Sequence, residues 1–131
     1  MSGVQAPEII VFAKLTGKYA LALREVVRRK ATVAAAKEAG ITVTARQLQN
    51  ALRTFRRSRQ LIARNGFESW LTSVGLSPDA LAQQLEEDLL INQFKKVLAR
   101  NARRNCPLSR FATRRINPDS EYEKWLNATL N

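Results

Sequence analysis

Apolar positions along most of the chain recur every three or four residues, the period of a helix with one buried side. From Lys18 to Ala39 the repeat is carried by Tyr19, Leu23, Val26, Val27, Val33 and Ala34, with Arg24, Arg28 and Arg29 available for the opposite side. Gly40 follows as the left-handed residue that closes a helix. Thr44 then reads as an N-cap and Gln47, three residues on, as its capping-box partner. Val43 and Leu48 are placed to staple that helix start. The helix opening at Ala45 bears Leu48, Ala51, Leu52, Phe55, Leu61 and Ile62, and its other side bears Arg46, Arg53, Arg56, Arg57, Arg59 and Arg64.

A short helix is expected over Phe67 to Val74, with Phe67, Trp70, Leu71 and Val74 on one side and Gly75 as its stop. The strongest start signal comes next: Ser77 caps, Pro78 takes the first helical position and Asp79 complements the helix dipole. Leu81, Leu85, Leu89, Ile91, Phe94, Val97 and Leu98 give this helix a stripe broad enough to touch more than one neighbour. After Arg100 the pattern changes, with Pro107 as a breaker, and Asn117-Pro118-Asp119 opens a short final helix carrying Tyr122, Trp125, Leu126 and Leu130. Only EIIVFAKL near the N-terminus is ambiguous between helix and strand. The expected fold is all-α: a small irregular bundle of about four to five helices, with a helical domain over 1–101 and a basic, partly extended arm with a short terminal helix over 102–131.

Charge adds a second layer. The net charge is +11, and it is uneven: 13 basic against 3 acidic residues in 1–64, 2 against 5 in 65–99, and 7 against 3 in 100–131. A basic chain attracts nucleic acid, acidic proteins or anionic surfaces, but the acidic middle argues against a uniform grip on a polyanion. There is no histidine and a single cysteine, Cys106, so the commonest general base, the commonest metal ligand and a thiolate cage are all missing. No catalytic residue, metal site or cofactor is assigned. The N-terminus lacks the shape of an export signal and no run is long enough for a membrane span, so a soluble, cytoplasmic protein is expected.

The order of caps and stripes, AGITVTARQLQNAL followed by GFESWLTSVGLSPDALAQQLEEDLLINQFKKVLARN, resembles the N-terminal helical domain of SurA-type chaperones. That domain accompanies parvulin-type peptidyl-prolyl isomerases, and the likeness covers roughly Leu21–Asn101. It implies a helical module that binds polypeptide. It does not bring isomerase activity with it, since no isomerase domain would fit in the remaining 30 or so residues. A peptide-maturation accessory, holding a peptide for modifying enzymes, is a further implication at fold level.

Three groups of candidate residues follow. Phe55, Trp70, Leu85 and Phe94 are expected first of all as core, with Tyr19, Phe67 and Trp70 lining any groove left open for a peptide. Arg53, Arg56, Arg57 and Arg64 form a basic face, read either as solvated or as a site for phosphates or acidic side chains. Arg100, Arg103, Arg104, Arg110, Arg114 and Arg115 form a run without an acid, and together with Phe111, Tyr122 and Trp125 they are the expected partner contacts. Glu86, Glu87 and Asp88 fan around their helix and read as an acidic patch able to pair with basic residues of this or another chain. The leading expectation is a non-catalytic module holding a peptide or protein partner. Alternatives are a small structural subunit of a larger cytoplasmic assembly anchored by its C-terminal arm, a precursor peptide whose leader is the helical domain and whose tail bears Cys106, and nonspecific nucleic-acid binding. A larger complex or a homo-oligomer is the expected setting beyond a single partner.

Overall fold

A computed structural model of the protein describes residues 3, 5–105 and 116–130. Six helices are present among them: α1 (Ala6–Leu15), α2 (Lys18–Glu38), α3 (Ala45–Ser58), α4 (Arg64–Val74), α5 (Pro78–Arg104) and α6 (Pro118–Leu130). The expected all-α class stands, with one helix more than the sequence pattern suggested. The extra element is α1, formed from the ambiguous run, where the Glu8 carboxylate accepts the Gln5 backbone N–H at 3.2 Å and closes the first turn.

The local signals act as read. Thr44 Oγ1 accepts the Gln47 N–H at 3.1 Å, and Gln47 Oε1 accepts the Thr44 N–H at 2.9 Å, so two orphan donors of α3 are satisfied. Ser77 Oγ caps α5 by accepting the Ala80 N–H. Gly40 and Gly75 sit at φ of +79° and +73°, and the residue after each donates back across the last turn to Ala36 O and Leu71 O. At the end of α3 the same device is built without glycine: Gln60 takes φ +56°, and the Leu61 N–H donates to Arg56 O.

α5 is the central strut, with α2, α3 and α6 packed along it and α1 against α2. The core joins Ala36 of α2 to Leu90 and Phe94 of α5, and Val33, Ile41, Val43, Leu98 and Trp125 close around them. Of the residues expected as core, Phe94 is buried, whereas Phe55, Trp70 and Leu85 are half-buried. α5 runs through the expected division at 101–102 as far as Arg104.

α6 returns to the bundle. The Trp125 ring meets Phe94 edge-on at 4.8 Å between centroids, Leu126 is buried, and the Tyr122 hydroxyl lies 2.8 Å from that of Thr32. Ion pairs Arg28–Glu123 at 2.6 Å and Lys95–Asp119 at 3.1 Å frame the same seam. Tyr122 and Trp125, expected to reach another molecule, thus anchor the terminal helix to its own chain. The physical reason is packing: Trp125 closes over the apolar cluster that Ala36 of α2 forms with Leu90 and Phe94 of α5.

Candidate partner-binding surfaces

The first surface lies on α1 and the first half of α2. α1 is apolar on nearly every side, as Ile9, Ile10, Val11, Phe12 and Leu15 show, and none of its residues is buried. Packing against α2 covers one side only, so Phe12 stays 62% exposed and Leu15 82%. On α2, Tyr19, Leu23, Val26 and Val27 share one side by their spacing and are exposed too. Lys14 rests over the Tyr19 ring at 5.0 Å, and Lys18 lies 5.9 Å from the Phe12 ring, so cations border the apolar face.

The second surface is a cleft of about 440 Å³ along α3, lined by Gln49, Leu52, Arg53, Arg56, Arg57 and Ile62. Gln49, Arg53 and Arg57 follow one another at four-residue steps and make a polar row beside Leu52. Arg56 has a structural task here. Its Nε donates to Leu61 O at 3.0 Å and its Nη2 to Ile62 O at 2.7 Å, while its guanidinium covers the Phe67 ring at 4.5 Å. Arg59 similarly covers Phe55, whose ring is tilted against Trp70 at 5.5 Å. Phe67 and Trp70 therefore gather at the junction of α3 and α4, whereas Tyr19 stands on the α1–α2 hairpin. Arg64 lies at the start of α4 and pairs with Glu68 at 3.1 Å.

On the other flank of α3, a shallow groove of about 530 Å³ runs between α3 and α5. Its floor is Ala51, Phe55, Leu85 and Leu89, and its rim carries the amides of Gln47, Asn50 and Asn92. Asp88, at its edge, accepts from Arg29 Nη1 at 2.7 Å, and Glu87 lies 3.4 Å from Nη2 of the same guanidinium. Partial burial works against the Arg29 charge, but the hydrogen bonds and charges of Asp88 and Glu87 outweigh it and hold the group above its ordinary value. The acidic patch is thus drawn partly into the fold by α2.

Arg100, Arg103 and Arg104 are exposed on the last turns of α5, where positive charge suits the helix C-terminus. Arg110, Phe111, Arg114 and Arg115, together with Cys106, lie outside the described residues.

A family model described as the SurA-like N-terminal domain matches residues 13–95, from the last turn of α1 through most of α5. The chain belongs to the SurA-like N-terminal domain family. Neither a curated protein nor a solved structure gives a significant match. This domain is the non-catalytic part of SurA, and the match takes in α2, α3 and α4 whole, including the arginine cleft and the α3–α5 groove. It leaves most of α1 and all of α6 beyond its limits, so the apolar face spans the edge of the SurA-like region. Among the described residues no helix is long and apolar enough to cross a membrane.

Sequence reasoning missed the exposed face of α1, and it named Arg53, Arg56 and Arg57 as a basic face without the cleft that Gln49, Leu52 and Ile62 form with them. The signal for the first was present: Ile9, Ile10, Val11, Phe12 and Leu15 crowd into a helix of ten residues, which is too short to span a bilayer.

Proposed function

We propose that the chain is a non-catalytic helical module that holds a peptide or protein partner, in the manner of a chaperone domain or an accessory to peptide maturation. The observation that carries this reading is the apolar face of α1 and the first half of α2. Ten of the fourteen large hydrophobic residues exposed among the described residues fall between Ile9 and Val27. Contiguous apolar surface of this kind on a small protein marks a place where another molecule sits. Membership of the SurA-like N-terminal family supports polypeptide as that molecule. The bordering Lys14 and Lys18 add positive charge around the apolar centre.

The test is a holding assay. The purified chain should keep a chemically unfolded protein from aggregating when the two are present in comparable amounts. Placing Asp at Phe12 and Leu23 should abolish that protection while leaving helical content unchanged. Protection that survives both substitutions, or none by the parent chain for any unfolded polypeptide, would remove the basis of the proposal.

A further inference from the structure

We infer that the cleft along α3 is a docking site for a peptide segment that alternates acidic with aliphatic side chains. The inference rests on the reading of the chain as a peptide-holding module but uses a separate surface, so the two can fail independently.

The argument begins with charge. Between Glu38 and Glu68 the sequence has no acidic residue, yet it holds Arg46, Arg53, Arg56, Arg57, Arg59 and Arg64. Among the described residues, the ion pair formed by this group is Arg64–Glu68, at the far end of α4's first turn. Arg53 and Arg57 sit four residues apart on one side of α3, where like charges repel. Among the described residues, no carboxylate forms an ion pair with either. A carboxylate ligand would answer that repulsion, and a guanidinium fork is suited to hold it through two parallel hydrogen bonds.

The shape supports a mixed occupant. Leu52 lies beside the arginine row, and Ile62, 70% exposed, closes the end of the cleft from the turn after α3. Arg56 is already committed to the carbonyls of Leu61 and Ile62 and to Phe67, so it fixes Ile62 in place and leaves ligand contact to Arg53 and Arg57. The cleft of about 440 Å³ therefore offers two cationic forks in line with an aliphatic wall. An acidic side chain can reach the forks while the neighbouring aliphatic one covers Leu52 and Ile62.

Nucleic acid fits less well. Single strands need ring faces for their bases to stack on. Of the rings bordering this region, Phe55 and Phe67 are covered by Arg59 and Arg56, and Trp70 is half-buried with its ring tilted against Phe55.

Fluorescence anisotropy on the full chain tests this with three labelled probes: a peptide alternating Glu and Leu, its counterpart with Gln replacing Glu, and a single-stranded DNA of similar length. The Glu–Leu peptide should bind, and the Gln peptide and the DNA should bind at least about tenfold more weakly. Replacing Arg53 and Arg57 with Gln should weaken the Glu–Leu peptide by a similar factor, whereas Arg24→Gln with Lys37→Gln on α2, which removes the same net charge, should not. Ile62→Ser should weaken the Glu–Leu peptide but leave an all-Glu peptide unaffected. Equal loss in the two double variants, equal binding of the Gln peptide, or preference for DNA would each overturn the inference. Circular dichroism of every variant confirms that the helices remain.

Discussion

The hydroxyl of Tyr122 lies 2.8 Å from that of Thr32, which is wholly buried on α2. Thr32 Oγ1 also sits 2.7 Å from the Arg28 carbonyl, one turn earlier, and a carbonyl can only accept. Threonine has one hydroxyl proton, so that proton goes to Arg28 and Tyr122 must donate to Thr32. The direction decides what each truncation does. Tyr122→Phe removes a donor and leaves Thr32 satisfied, at a cost of about 1 kcal/mol. Thr32→Val leaves the tyrosine hydroxyl without its acceptor and should cost about 2 kcal/mol. Urea denaturation of both variants and the double variant measures the coupling; additive losses would show that the two hydroxyls are independent.

Trp125 is the other half of the α6 seam. Its ring stands edge-on to Phe94 and roughly parallel to Tyr122, with centroids 4.8 and 6.2 Å away. Trp125→Ala should cost about 3 kcal/mol, the low end for deleting a large ring from a core, because the side chain is half-buried. The same change should make residues 116–130 the first site of proteolytic cutting, since α6 loses its main apolar hold. A loss below about 1 kcal/mol with unchanged proteolysis would mean that α6 is held by its ion pairs instead.

At the end of α3, Gln60 occupies φ +56°, a conformation that costs an L-residue roughly 1–2 kcal/mol. Gln60→Gly should therefore raise stability by about 0.5–1 kcal/mol after the entropy that glycine forfeits on folding. Gly40→Ala, at φ +79°, should lower stability by about 1 kcal/mol. Thermal midpoints shifting in opposite directions would confirm both, and a destabilising Gln60→Gly would argue that the glutamine side chain has a role of its own.

These two positions also explain what was legible in the chain. Gly40, Thr44, Gly75 and Ser77 act within one turn of themselves, so residue type alone announced the helix ends. Gln60 performs the same turn without the residue type that advertises it, and the placement of Ile62 against the arginine row was hidden for that reason. Arg56 read as part of a solvated basic face because nothing local indicates that its fork bends back to Leu61 and Ile62. Tyr122 and Trp125 meet residues some thirty to ninety positions away. Their aromatic character was visible, but whether they met this chain or another was not. The stripe on α5 did imply several neighbours, and α2, α3 and α6 are those neighbours.

Arg29 joins α2 to the acidic turn of α5 through Asp88 and Glu87. Arg29→Met should cost about 1 kcal/mol at low salt and less as salt screens the pair. The pH dependence follows from the sign of the shift. A cation held above its ordinary value contributes stability that is complete below that value and is lost only as pH rises through the higher folded one. For arginine that window lies far above neutrality, so the penalty of the substitution should be constant between about pH 7 and pH 9. A penalty that changes across this range would mean that another titrating group is coupled to the bridge.

The apolar face of α1 and α2 separates folding from function most directly. Phe12 and Leu23 are 62% and 52% exposed, so deleting their side chains removes little contact within the chain. Exposed positions of this kind usually change stability by less than about 0.5 kcal/mol. Phe12→Ser and Leu23→Ser should therefore leave the urea midpoint almost unmoved. They should, however, reduce the binding of a dye that reports exposed apolar surface, since the face accounts for most of the large hydrophobic residues that the described structure exposes. A marked fall in stability would place these side chains in contacts that hold the bundle together, and the face would then be part of the fold instead of a surface kept open for a partner.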